Sequence, residues 1–160
     1  MRAKRSRRCP WQVPSTVKAR RGSGCVAVSA GGSKRVVQRY YEEVLTERRL
    51  DVLEELVAPG FVGHDGAGAM MDRSGYFEAV EMLHAGFGEL VVTIDDQIAE
   101  GNRVTTRWSA SGMHTGEFAG IPPTGRLVAI SGIDIHRVER GRLVELWEQL
   151  DVASLLAQLL

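Results

Sequence analysis

The sequence predicts an α+β domain in which three N-terminal helices pack on a strongly curved four-stranded antiparallel sheet and enclose a conical pocket. Three observations lead there. Apolar residues between Val36 and Phe87 recur at helical spacing in three separate stretches. After Gly88 the period shortens to two, and turn signals then divide the chain into successive strands. With 160 residues, 44% of them hydrophobic, the chain is sized for one domain with a real core.

Ser33 can cap the first helix, whose apolar residues are Val36, Val37, Tyr40, Tyr41, Val44 and Leu45. A second, short helix takes Asp51 as N-cap, buries Leu53, Leu56 and Val57, and stops at Pro59–Gly60. Phe61–His64 reads as a brief extended piece before the loop Asp65–Gly68. The third helix starts at Asp72, carries Tyr76, Phe77, Val80, Leu83 and Phe87 on one face, and ends at Gly86 and Gly88. Leu90, Val92 and Ile94 then alternate with Val91, Thr93 and Asp95. Gly101-Asn102 turns the chain, and Val104–Ser111 returns it with Thr106, Trp108 and Ala110 on one side. The Gly- and Pro-rich excursion Gly116–Gly125 breaks the sheet, because proline donates no ladder bond. It is either a bulged connection or a rim of the pocket, with Phe118 as its lining residue. A long strand over Arg126–Val138 and a last strand over Arg142–Gln149 complete the sheet. Asp151–Leu160 is a final amphipathic helix or tail, whose leucines Leu155, Leu156, Leu159 and Leu160 need cover.

Net charge is zero, yet ten of the twenty Lys and Arg precede Val36 and the first acidic residue is Glu42. The body from Val36 onward is therefore acidic, which disfavours nucleic acid as a partner. Residues 1–33 hold no sustained periodicity and read as a basic, unfolded extension, with residues 34–160 as the folded domain. Cys25–Ala30 is too short and too broken for a signal peptide, and the expectation is an appendage, or sequence upstream of a true start near Val36. No run approaches the ~18 apolar residues of a membrane span. Both cysteines, Cys9 and Cys25, lie in that extension, which implies no structural disulfide and a reducing, cytoplasmic setting. His64, His84, His114 and His136 show no metal-binding spacing, and no phosphate or dinucleotide fingerprint is present. A reaction without metal or cofactor is the expectation.

Two carboxylates stand in apolar rows. Asp134 shares a side of its strand with Val128, Ile130 and Val138; Glu148 shares a side with Val144 and Leu146. Their relation depends on the turn at Glu139–Arg142. A three-residue loop pairs Glu139 with Leu143, which sets Asp134 across from Glu148 and Arg137 across from Glu145. A two-residue loop, Arg140-Gly141, pairs Glu139 with Arg142 and sets Asp134 across from Trp147. Both registers contain sensible pairs.

The runs GMHTGEFAGIPPTGRLV and IDIHRVERGRLVELWEQLD resemble the SnoaL-like polyketide cyclases, which share the cone-shaped fold of ketosteroid isomerase and nuclear transport factor two. The resemblance covers Val36 to Asp151, and residues 120–125 and 141–148 are its most specific parts. It favours the first register, because the cyclases hold their acid/base groups at the positions of Asp134 and Glu148. It implies ring closure by aldol addition, or proton transfer beside a carbonyl, on a small apolar carbonyl compound. His64 would be a hydrogen-bond donor at the pocket mouth, with Trp108, Val128, Ile130, Leu146 and Phe118 as pocket wall. The family often reads Glu-His-Trp-Asp in the last strand, where this chain has Glu145-Leu146-Trp147-Glu148. Two other classes fit the same features. One is a non-catalytic small-ligand binder. The other is a homodimer formed through an apolar outer sheet face at Ile133, Ile135, Leu143 and Trp147.

Overall fold

The computed structural model describes residues 30–160. The first 29 residues, with both cysteines, lie outside the described part. Helix α1 (Ala30–Arg39) runs directly into a π-helical segment, Tyr40–Thr46, and α2 (Leu50–Leu56) follows. Then come β1 (Val57–His64), β2 (Met70–Asp72), α3 (Arg73–Gly86), β3 (Phe87–Glu100), β4 (Arg103–His114), β5 (Leu127–Glu139), β6 (Arg142–Leu150) and α4 (Val152–Leu159). The α+β class stands, with four helices and six strands among the described residues in place of three and four.

The sheet order is β2-β1-β6-β5-β4-β3, and the sheet curves without closing. The four long strands pair as antiparallel neighbours in sequence order. The extended piece expected at Phe61–His64 is the second half of β1, but its start at Val57 and its parallel pairing with β6 were not expected, nor was β2, which pairs antiparallel with β1. Pro59 and Gly60 are not the stop of α2. They lie inside β1 where its register on β6 shifts between Val57 and Val62, a place where proline's missing N–H costs no ladder bond. Ser33 does not cap α1 but sits buried within it. Asp72 does cap α3, its Oδ1 accepting from the Gly75 backbone N–H at 3.0 Å.

Further register shifts fall at Gly88/Val91 and Ile94/Asp96 in β3 and at Arg137/Val138 against β6. Extra residues of this kind bend a strand and raise its twist, which curls the sheet around its inner face. The helices cover that face. Val37, Tyr41, Val44, Leu53, Leu56 and Val80 pack onto Leu90, Val104, Val138, Leu143 and Leu146. A second cluster closes the far end, where Leu155 and Leu159 of α4 meet Phe87 and Val128. Of the four leucines expected to need cover, Leu155 and Leu159 thus find it, whereas Leu160 is 82% exposed.

The β5–β6 hairpin resolves the two registers by using half of each. Arg140 and Gly141 both have positive φ (51° and 75°), a two-residue turn of the I′ kind, and Glu139 pairs with Arg142. Beyond the turn, Val138 pairs with Leu143, whereas Arg137 pairs with Glu145. Val144 is thus a bulged extra residue, and it restores the pairing of Asp134 with Glu148. The bulge also lets Leu143 and Leu146 both face the core, at 0% and 3% exposure, although strict alternation would separate them. Leu143 is therefore not part of the outer face, where Ile133 and Ile135 are exposed.

Candidate active site

The inner face of the sheet and the helices over it enclose a hollow of about 230 Å³. Apart from Ser111, its polar side chains gather at one end: Tyr40, Tyr41, Tyr76, Trp108, Asp134 and Glu148. Met82 of α3, one of the lining residues, is half exposed, whereas Asp134 at the polar end is 3% exposed. No Lys or Arg is among the lining residues, so the two carboxyl groups face each other without a counter-charge.

Strand geometry places the pair. Asp134 and Glu148 are direct cross-strand partners on one side of the sheet, a few ångströms apart at this spacing. Burial pushes Asp134 up to about 6, held back by the Tyr41 hydrogen bond and by the nearby indole N–H of Trp108. Burial also pushes Glu148 up to about 7, and the neighbouring charge of Asp134 adds to it, with a smaller contribution from Asp65. Two such groups cannot both ionise readily near neutral pH, and they hold one proton between them.

Tyr41 comes from the π-helical segment. The wider turn is seen in the Glu47 backbone N–H, which donates to Glu42 O at 3.0 Å, and in Thr46 Oγ1, which donates to Tyr41 O at 3.1 Å. Adjacent tyrosines 40 and 41 are both buried there, packed edge to face with centroids 5.2 Å apart. The Tyr41 hydroxyl donates to Asp134 Oδ2 at 2.5 Å. Burial and the Asp134 charge raise the Tyr41 pKa far above its ordinary value, so it stays a donor. Asp134 Oδ1, Trp108 Nε1 and the Tyr76 hydroxyl are buried with no hydrogen-bond partner.

Of the residues expected from sequence, Asp134, Glu148, Trp108, Val128, Ile130 and Phe118 all line the hollow. Phe118 gets there because the excursion after β4 folds back: Phe118 and Ile121 form a small bridge, and the Phe118 ring meets Phe87 edge to face at 4.8 Å. The excursion is a rim. Leu146 is buried in the core behind the hollow rather than lining it, so the exchange of histidine for leucine there leaves the lining untouched. His64 does not reach the mouth. Its position in β1 opposite Trp147 puts it on the outer side, where its Nε2 lies 3.0 Å from Glu145 Oε1 and its ring stacks on Trp147 at 5.3 Å. Arg137 donates from Nε to the other oxygen of Glu145 at 2.8 Å, the cross-strand pair expected from the register.

His114 and His136 are fully buried without entering the hollow. His114 Nδ1 accepts from the Thr124 backbone N–H and pins the return of the rim. His136 packs against Tyr40 and Tyr41, and burial alone pushes it down to about 3, so it stays neutral. Sequence reasoning missed Tyr40, Tyr41 and Tyr76 as site residues and counted them as core stripe. Their signal was the phenol itself: a hydroxyl on a buried stripe needs a polar partner, and Asp134 and Glu148 are carboxyl groups in apolar rows.

No curated protein matches the chain. Among solved structures, IdmH from Streptomyces antibioticus is 34% identical with a TM-score of 0.70, over 79% of this chain and 97% of that one. AclR from Streptomyces galilaeus superposes at TM-score 0.76 with 23% identity, over 82% of each chain. TsrD from Streptomyces laurentii does so at 0.71 with 24% identity, over 81% of this chain and 95% of that one, and both show the shared fold. The family model described as SnoaL-like polyketide cyclase matches residues 35–159, nearly the whole of the described part, and the chain therefore belongs to the SnoaL-like polyketide cyclase family.

Proposed function

We propose that this protein is an enzyme that moves protons on carbon beside a carbonyl, by intramolecular aldol ring closure or by isomerisation, on a small apolar carbonyl compound. The observation that carries this reading is the facing of Asp134 and Glu148 at the polar end of an otherwise apolar hollow. Their environments divide the roles. Asp134, kept the lower of the two by Tyr41, is the base that takes the proton from carbon. Glu148, pushed to about 7, keeps its proton near neutral pH and gives it to the oxygen that becomes an alkoxide or enol. Tyr41 holds Asp134 in place and shares its charge. The apolar wall excludes water, which would otherwise quench an enolate. None of these steps calls on a cofactor.

The test has two parts. Carboxyl-detected NMR titration reads the pair directly, and both groups should titrate well above ~4, as a coupled pair. Asp134→Asn and Glu148→Gln should then each abolish α-proton exchange into a responsive ketone. If both substitutions leave turnover intact, the acid/base reading fails. Ligand-dependent stabilisation that survives both substitutions, with no turnover in the wild type, would instead support the non-catalytic binder, for which the apolar hollow serves equally well.

A further inference from the structure

Trp108 lies across its neighbouring strand in a way that glycine alone permits. It pairs with Gly132 of β5. A Cβ at position 132 would stand 2.6 Å from Trp108 Cζ2, 2.8 Å from its Cε2 and 2.8 Å from the Gln149 backbone oxygen of β6. Real Cβ atoms do not make such approaches, so the bare Cα of Gly132 is the floor on which the indole rests. The edge that rests there carries Nε1, which is bonded to Cε2. Trp108 Nε1–H and Asp134 Oδ1 are both buried and neither makes a hydrogen bond. They are neighbours all the same: Asp134 pairs with Thr106 and Gly132 with Trp108, so Trp108 and Asp134 stand diagonally on one side of adjacent strands, and both line the hollow. Tyr41 occupies the other oxygen, Oδ2, and so leaves Oδ1 as the free acceptor.

We propose that the Trp108 Nε1–H donor and the Asp134 Oδ1 acceptor form a two-point notch for the α-CH–C=O unit of an enolisable ketone or ester. Oδ1 takes the α-proton. The C–H bonding pair becomes the new C=C bond, the carbonyl π pair moves onto oxygen, and Nε1–H donates to that oxygen as it gains charge. A buried donor and a buried acceptor side by side, each lacking a partner, match a unit that offers an acidic C–H and an oxygen two atoms apart. The notch rests on the acid/base reading and adds to it that Trp108 is a catalytic residue, not only a wall. Gly132 is its positioning residue.

The test uses the full chain labelled with ¹⁵N-tryptophan, and 2-naphthol as a planar enol mimic. The Trp108 indole N–H signal, assigned by elimination through Trp11→Phe and Trp147→Phe, should move downfield on adding 2-naphthol. The signal of Trp147, held on the outer side between His64 and Arg103, should not move. Trp108→Phe and Gly132→Ala should each weaken 2-naphthol binding ~10-fold or more, the first by removing the donor and the second by lifting the indole off its floor. The wild-type spectrum and Gly132→Ala carry the test should Trp108→Phe fail to fold. No binding, or binding that leaves the Trp108 signal in place, overturns the notch. Alpha-deuterium exchange of 2-tetralone separates the two readings. Exchange lost in Asp134→Asn but unchanged in kcat and KM in Trp108→Phe removes the notch alone. Exchange untouched in Asp134→Asn removes the acid/base reading, whatever 2-naphthol does.

Discussion

Replacing Asp134 by Asn should make the protein more stable in mild alkali than it is now. Folded Asp134 is pushed from 3.8 up to about 6, so the folded state binds this proton more tightly than the unfolded chain does. The stability from that preference is fully present below pH ~4 and is lost as pH rises through about 6, because stability falls with pH wherever the folded state holds more protons. The difference corresponds to ~3 kcal/mol at 1.36 kcal/mol for each pKa unit. Asn keeps an oxygen for the Tyr41 hydroxyl and carries no charge to bury. Relative to wild type, Asp134→Asn should thus gain ~3 kcal/mol between pH 4 and pH 8, with Glu148 relaxing downward once its charged neighbour is gone. Buried His136, pushed down to about 3, works in the opposite sense over an overlapping range and flattens the absolute profile. The difference between variant and wild type cancels it. Urea unfolding followed by circular dichroism at several pH values measures this directly. A difference that stays flat from pH 4 to pH 8 would refute a buried, charge-penalised Asp134 and, with it, the acid/base assignment.

Tyr41→Phe should raise Asp134 further, shift the acidic limb of any pH–rate profile upward, and cost ~1–3 kcal/mol at pH 8, where a charged Asp134 loses its donor. Glu148→Gln should lower turnover ~10²–10⁴-fold while leaving ligand affinity nearly intact, read as a kcat loss without a KM change. His64→Ala should leave turnover unchanged and cost at most ~1 kcal/mol, since its contact with Glu145 is on the outer side and both partners are partly exposed; a large turnover loss would return His64 to the site. Solution scattering decides the expected homodimer: a dimer mass at micromolar concentration that falls to monomer in Ile133→Glu supports pairing through the outer face, and a wild-type monomer ends it.

Much of this architecture could be read from local pattern. The start of the third helix at Asp72, the change of period after Gly88 and the side occupied by each residue of β5 follow from helical spacing and the two-residue repeat of a strand, which involve only near neighbours. The same repeat put Asp134 and Glu148 each in an apolar row, and the family resemblance pointed to the two positions as a pair. What the chain order could not decide was everything that depends on one extra residue or on a distant strand. The bulge at Val144 reconciles a two-residue turn with the Asp134–Glu148 pairing, and a bulge has no signal in alternation because it interrupts it. His64 looked poised at the mouth until β1 docked parallel to β6 and turned it outward. Tyr41 becomes the partner of Asp134 only because a π-helical turn reorients two adjacent tyrosines toward a strand 93 positions away. Sequence alone determined which faces are apolar and where carboxyl groups interrupt them, because those are properties of local spacing. Only the tertiary structure decided which polar groups meet inside, because that depends on register, and a slip of one residue reverses every side chain.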